Sequence, residues 1–374
     1  MNAPASRKPR VVVVFGGRSS EHSISCVTGG AVMDAIDRDA YEVVPVGITR
    51  DGRWVLGDSD TAGLRLGPQG ELPEVDASRP SVALVREQDH TALVVTEPGQ
   101  HPRSLGPVDV VFPVLHGPWG EDGTLQGMLE MMDVRYVGLG VLGSAVSMDK
   151  HYMKLVLEAA GIPVTPGITV TRRRWQREPD AVRAEVEALG YPVFVKPCRA
   201  GSSMGISKVS TPDHLEAALL AAQEHDPKVL VEVAAIGARE IECGVLEGLD
   251  GSILTSMPAE IRITGNHEFY DFAAKYDAAE HTELDVPAKL PEAVAEEMRE
   301  LSARVFEAVS GEGLSRVDFF VMPDNSLVVN ELNTMPGFTP LSMYPQMWQA
   351  AGISYPELVS QLLELALRRG TGLR

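Results

Sequence analysis

The run Val11-Val12-Val13-Val14-Phe15 is apolar at every position instead of alternately, as a strand covered on both faces requires. Gly16-Gly17 follows, then helical spacing over 23–36, so the pattern predicts strand, tight turn and helix. A second strand is predicted at 41–48. Residues 108–115 repeat the design, ending at His116-Gly117 ahead of a helix at 124–132. Strands alternating with helices in this way describe an open α/β unit. Inside it, 51–106 is rich in Gly, Pro and charge and predicts short strands such as 81–85 and 91–95 on an elaborated edge.

From residue 139 the pattern changes. A helix at 148–160 precedes strands at 167–171, 193–196, 206–209 and 228–233, with helices near 178–189 and 213–225, which is an α+β module. A third region carries strands at 239–246, 253–263, 315–322 and 327–332. Its long helix, 291–310, places Val294, Met298, Leu301 and Val305 on one apolar stripe, a core-facing pattern and not a cofactor box. Between Ile263 and Pro287 the apolar pattern lapses, over a length that in a compact domain marks a lid or binding loop. The expected organisation is three domains, 1–138, 139–236 and 237–374, the last with a lid loop at 264–286.

Composition narrows the function. With 374 residues, 44% apolar and 23% charged, the chain has the make-up of a folded, water-soluble protein of more than one core. Its 33 Lys and Arg against 52 Asp and Glu leave a net charge of −19, which repels nucleic acid and anionic membranes. An anionic ligand therefore needs a local positive pocket. No apolar run approaches the roughly 20 residues of a membrane helix, and the first run is cut short at Gly16, so a cytoplasmic protein is expected. Cys26, Cys198 and Cys243 are odd in number and form no CxxC pair, which argues against a disulfide framework and a zinc site.

The sharpest chemical signal is Arg316-Val317-Asp318 facing Glu331-Leu332-Asn333 across the turn Pro323-Asp324-Asn325-Ser326. A hairpin closed symmetrically there pairs positions summing to 649, setting Asp318 opposite Glu331 and Arg316 opposite Asn333. Directly opposed carboxylates destabilise a sheet unless something positive intervenes, and Mg²⁺ takes one or two carboxylates plus nucleotide phosphate oxygens. A solvated polar face would show the same residues, and a one-residue bulge would break the register. In Lys196-Pro197-Cys198-Arg199-Ala200-Gly201-Ser202-Ser203-Met204-Gly205 a strand-end lysine leads into a Gly- and Ser-rich turn. Small residues let backbone N–H groups converge on phosphate, although a plain hairpin turn is the alternative. This segment matches neither the P-loop nor the GxGxxG pattern. Lys150 falls in the first turn of a helix for which Ser147 is the expected N-cap. A cation there opposes the helix dipole and suggests an anionic partner, unless Asp149 offsets it locally. Glu21 follows a glycine turn at a helix start, able to receive an ammonium group or simply to stabilise the dipole. His116 opens a second glycine-rich strand-to-helix turn, placed where α/β folds bind ligands.

Taken in order, GGRSSEHSIS, LHGPWGEDGTLQG, DKHYMK, KPCRAGSSMG, EFYDFAAKY, RVDFFV and ELNTMPGFTPLSMYP resemble the D-alanine–D-alanine ligases of the ATP-grasp superfamily over nearly the whole chain. The resemblance implies a three-domain ATP-grasp architecture with an N-terminal open α/β domain. It also implies joining of two D-alanines, through an acyl phosphate, with ATP cleaved to ADP and phosphate for peptidoglycan precursors. By the same resemblance Lys150 and Lys196 hold the nucleotide phosphates, covered by Ser202 and Ser203. Glu232 lies at the adenine edge, Glu240 at the ribose, and Lys275 and Tyr276 on the lid, with Tyr276 networked to Glu21 and Ser202. Asp318, Glu331 and Asn333 match the ligands of two Mg²⁺ ions, for which Mn²⁺ substitutes. Glu21 receives the ammonium of the first D-alanine beside His116. Arg316 and the Gly337 amide stabilise the oxyanion, and Ser342 binds the second carboxylate. A homodimer is implied as well. Met343 stands where many relatives carry Leu, which leaves acceptor selectivity less defined; a D-alanine–D-lactate ligase or another ATP-grasp carboxylate–amine ligase is the alternative. Tyr276 favours D-alanine.

Overall fold

The computed structural model describes residues 7–67, 70–202, 204–263 and 282–372. The apolar run forms the strand Arg10–Gly16, paired in parallel with Glu42–Ile48 on one side and Val110–Pro113 on the other. Val11 to Val14 are fully buried because helices cover both faces. The helix His22–Ala35 follows the glycine turn as expected. Gly16 has φ +87°, and a Cβ there would meet the Ile48 carbonyl oxygen at 2.4 Å, so only glycine fits. The segment 51–106 extends this sheet to eight strands on one edge, with Ser81–Arg86 and Thr91–Thr96 where strands were predicted. Trp54–Leu56 and Arg103–Pro107 join them unannounced: the first is three residues long, and the second, RSLGP, has no alternation to read.

A four-stranded antiparallel sheet follows, in the order Ser207–Val209, Val193–Pro197, Lys228–Val233, Gly167–Thr171. The helices Pro179–Leu189 and Leu215–His225 bury Val182, Val186 and Leu219 against it. A third sheet of six strands has Arg239–Glu247, Leu314–Val321 and Leu327–Asn333 as neighbours. The stripe Val294, Met298, Leu301 and Val305 of the helix Glu292–Ala308 is buried in the cluster that holds Ile241, Val245, Val317 and Phe319. The single strand expected at 253–263 is instead two, Ile253–Thr255 and Ala259–Ile263. Pro258 lacks a backbone donor, and Ser256 between them accepts from the Gly244 amide at 2.9 Å.

Helices beyond those predicted include Val141–Met148, Met343–Ala350 and Tyr355–Arg368. The last opens with a capping box between Ser354 and Glu357 and buries Leu358, Val359, Leu362 and Leu363. These pack with Val11, Val13, Phe15 and Phe112, so the end of the chain closes one face of the first sheet. Among the described residues no helix is long and apolar enough to cross a membrane.

Candidate active site

The acidic face rests on three adjacent strands. Register sets Glu242, Asp318 and Glu331 in one row, and Gly244, Arg316 and Asn333 in the next. The two pairings predicted for the hairpin are therefore present, but not by symmetric closure. Nearer the turn, Phe319 pairs with Val329 and Val321 with Leu327, one residue short of the expected sum, and the irregularity at Asp318/Phe319 restores it. Leu327 and Val329 must face the core, whereas Glu331 and Asn333 must not; strict alternation cannot satisfy both, and a bulge at Asn330 does.

Three carboxylates in a row demand positive charge. Arg316 supplies it, donating through Nε and Nη2 to the two Asp318 oxygens at 2.7 Å each, with Nε also 3.2 Å from Glu242 Oε2. Burial opposes the guanidinium charge, but Asp318 and Glu242 outweigh it and raise its pKa. Asn333 Nδ2 donates to Asp318 at 2.9 Å. Lys150 Nζ lies 3.2 Å from Glu331 Oε2, and there too burial is outweighed by the carboxylate, raising the lysine's pKa. Glu242 was not foreseen from sequence; its alternation with Gly244 along a strand opposite Asp318 was the available signal.

Lys150 opens the helix Lys150–Ala159, but its N-cap is Asp149, not Ser147. Asp149 Oδ1 accepts from the His151 and Tyr152 amides at 3.2 and 3.4 Å, whereas Ser147 lies inside the preceding helix. Lys150 is tied to the glycine-rich loop: its backbone N–H donates to Cys198 O at 3.0 Å and its Nζ to Ala200 O at 3.2 Å. That loop joins two antiparallel strands with no helix between, and the Arg199 pairing with Asp226 (2.6 and 3.0 Å) pins its start. Ser202 sits in it at φ +49°; Ser203 lies outside the described residues.

Lys196 Nζ stands 2.5 Å from Glu232 Oε1 and 3.3 Å from Asn330 Oδ1. Glu232, expected at the adenine edge, is 2% exposed, with its carboxylate engaged by Lys196, by Lys154 at 2.6 Å and by the Thr165 hydroxyl at 2.6 Å. Burial pushes its pKa up, but Lys196 and Lys154 dominate and bring it down to about 2. Lys154 was missed, although it stands one helical turn beyond Lys150 in the same motif. Glu240 is exposed and lies opposite Phe320 in register. Lys275 and Tyr276 lie outside the described residues, as does 264–281 of the lid loop expected at 264–286; the described end of that segment is not loop but the strand Thr282–Asp285, paired antiparallel with Ala259–Ile263.

At the other end, Ser202 Oγ donates to Glu21 Oε1 at 2.5 Å. Gly117 has φ +74°, a left-handed conformation that favours glycine, and a Cβ on Gly201 would come within 2.9 Å of Glu21 Oε2, so that a larger residue there would displace this carboxylate. His116 is buried, with Nδ1 3.0 Å from Met335 O and Nε2 3.3 Å from the Thr28 hydroxyl. Glu121, also unforeseen, accepts from the Gly117 and Met335 amides at 2.8 Å each and from Thr334 Oγ1 at 3.1 Å; burial pushes its pKa up. These bonds stitch the first sheet to the segment that follows Asn333. In that segment a Cβ on Gly337 would lie 3.2 Å from Ser342 Oγ, which accepts from the Thr339 amide at 3.1 Å. Met343 is packed in the apolar cluster with Phe338 and Tyr344.

Among the described residues no three His, Cys, Asp or Glu side chains group as a metal site. Asp318, Glu331 and Asn333 are two carboxylates and an amide, a hard-oxygen set that suits Mg²⁺ when phosphate oxygens complete it.

Two family descriptions match the chain: D-ala D-ala ligase N-terminus over residues 10–139 and D-ala D-ala ligase C-terminus over 156–364. A D-alanine–D-alanine ligase of Arthrobacter sp. (strain FB24) is 57% identical over 374 residues, covering 100% of this chain and 97% of that one. Another from Kineococcus radiotolerans is 58% identical, covering 98% and 99%. Among solved structures, the VanG D-Ala:D-Ser ligase from Enterococcus faecalis superposes with a TM-score of 0.83 at 34% identity, over 96% of this chain and 100% of that one. The D-alanine-D-alanine ligase from Coxiella burnetii gives 0.77 at 32% identity, over 97% and 95%. With both family descriptions matched and identity above half along its full length, the chain belongs to the D-alanine–D-alanine ligase family, with the ATP-grasp fold of those structures.

Proposed function

We propose that the protein joins two D-alanines into D-alanyl-D-alanine for peptidoglycan precursors, cleaving ATP to ADP and phosphate. The observation that carries this is the convergence of Lys150 and Lys196 on the acidic hairpin face, with Glu21 and Ser202 bonded to each other nearby. ATP lies between the four- and six-stranded sheets, its phosphates held by Lys150, Lys196, Ser202, Ser203 and Lys275. In this reading Glu240 meets the ribose. Glu232 is at the adenine edge mainly through its backbone, because its carboxylate holds lysines. Asp318, Glu331 and Asn333 hold two Mg²⁺ ions, with Mn²⁺ able to substitute. Bound there, the ions screen the repulsion between phosphate and carboxylate.

A carboxylate is a poor electrophile, so phosphoryl transfer from ATP first converts that of the first D-alanine to an acyl phosphate. Glu21 receives this substrate's ammonium, beside His116. The amine of the second D-alanine, oriented through Ser342 beside Met343, then attacks the acyl carbon. Arg316 and the Gly337 amide stabilise the tetrahedral oxyanion until phosphate leaves and the nitrogen gives up its proton. The lid segment 264–281, with Tyr276, excludes water from the acyl phosphate. We assign the three domains to 1–138, 139–236 and 237–374, and infer a cytoplasmic homodimer. In a phosphate-release assay with ATP and Mg²⁺, D-alanine should support turnover and yield dipeptide while L-alanine should not, and Glu331→Gln should abolish it. Near-normal Glu331→Gln activity would overturn the metal assignment. Competition between D-alanine and D-lactate at neutral pH tests the acceptor, since only the amine yields an amide.

A further inference from the structure

Along the strand Leu327–Asn333, the core-facing residues are Leu327, Val329 and Leu332, spaced by two and then by three. The extra residue is Asn330, which the pairing with the strand Leu314–Val321 skips. Two consecutive side chains, Asn330 and Glu331, therefore leave the strand on the site face. Each meets a lysine of the neighbouring region: Glu331 meets Lys150 at 3.2 Å, and Asn330 Oδ1 accepts from Lys196 Nζ at 3.3 Å. Lysine has only donors, which fixes the amide oxygen as the atom turned toward it.

We propose that Asn330 is a positioning residue for ATP binding, a neutral acceptor that draws the Lys196 ammonium from its own sheet toward the opposite one without neutralising its charge. The inference rests on the reading of Lys196 as a nucleotide-phosphate lysine. Lys196 hangs on a flexible four-carbon stem, and Glu232 alone would tie it to the four-stranded sheet that carries both. Asn330 supplies a second anchor from the six-stranded sheet. Phe194 and Phe320, whose ring centres lie 5.7 and 5.8 Å from the ammonium, flank the same position, one from each sheet. A carboxylate at position 330 would hold the lysine as well but cancel the charge that an anionic phosphate needs. An amide holds it and leaves the charge in place, which matters in a chain of net charge −19.

The test is a double-mutant cycle on the full-length protein, with ATP affinity measured calorimetrically in the presence of Mg²⁺ and the KM for ATP and for D-alanine measured alongside. Asn330→Leu removes the acceptor at similar volume; Asn330→Ala removes it without added apolar bulk, should the first variant fold poorly. Either should weaken ATP binding about tenfold, the worth of one hydrogen bond to a charged group, and leave the KM for D-alanine unchanged. In a Lys196→Met background the same change should weaken ATP binding no further. Equal weakening with and without Lys196, or unaltered ATP affinity in both Asn330 variants, would overturn the role of Asn330 alone. Unaltered ATP affinity in Lys196→Met would overturn the underlying reading of the lysine, and the proposal with it, while leaving D-alanine-dependent phosphate release to be judged separately.

Discussion

Lys154→Met probes the buried triad beneath the candidate nucleotide site. Lys154 and Glu232 have side chains only 8% and 2% exposed and lie 2.6 Å apart, with Lys196 on the carboxylate's other oxygen at 2.5 Å. The two lysines carry Glu232 from an ordinary 4.5 to about 2, a drop equivalent to about 3 kcal/mol in favour of the anion. From the side of Lys154 the balance differs: burial lowers its pKa despite Glu232. The two directions agree once the pair is separated from its halves. As a whole the ion pair contributes little over apolar packing, but removing Lys154 leaves the buried Glu232 charge to Lys196 and the Thr165 hydroxyl alone, a loss smaller than the roughly 3–5 kcal/mol of a fully stranded charge. We expect Lys154→Met to lose about 2 kcal/mol at pH 7, because Lys196 remains on the carboxylate, measured as a lowered urea midpoint. Glu232 has a depressed folded pKa, so its stabilisation is complete above about 4.5 and is lost as pH falls toward 2. In Lys154→Met the folded pKa rises part of the way, since Lys196 still lowers it, and the acid limb should become shallower. A midpoint within ~0.5 kcal/mol of wild type, with an unchanged acid limb, would refute the charge argument, since it would mean that Lys196 alone balances the buried carboxylate.

Asp149→Ala removes the N-cap of the helix that begins at Lys150 and the carboxylate partner of Lys228, and should cost about 1 kcal/mol in a thermal melt. Arg316→Lys keeps a charge but cannot reproduce the two parallel bonds to Asp318, so kcat should fall by about 10²- to 10³-fold, with a smaller effect on the KM for ATP; equal loss in both would argue for a purely structural role.

Much of the site could be read before any fold was known, because its chemistry is local. The residue types Arg316, Asp318, Glu331 and Asn333 are legible as the two arms of a short hairpin, although their pairing holds only through the bulge, while Lys150 stands out as a first-turn cation and Lys196 as a strand-end lysine before a glycine-rich turn. What escaped is what depends on contacts far apart in sequence. Glu121 is an ordinary helix-start carboxylate until Met335 and Thr334 arrive from more than two hundred positions away. Glu242 acquires meaning only when its strand pairs with that of Asp318. Lys154 and Glu232 recognise each other across 78 residues because the fold brings the helix Lys150–Ala159 within reach of the strand Lys228–Val233, not because either motif calls for the other.

By itself the sequence determined the β-branched run that must be buried on both faces, the glycine turn that only glycine can make, the apolar stripe of the helix Glu292–Ala308 and the residue types of the acidic hairpin. These are consequences of backbone sterics and of periods of two or 3.6 residues, which act within one element. Tertiary structure alone decided that the helix Tyr355–Arg368 closes the first sheet, that Asp149 and not Ser147 caps the lysine-bearing helix, and that the hairpin bulges at Asn330. Each of those outcomes balances burial on one face against charge on the other. Such a balance exists only when the partners have been brought together.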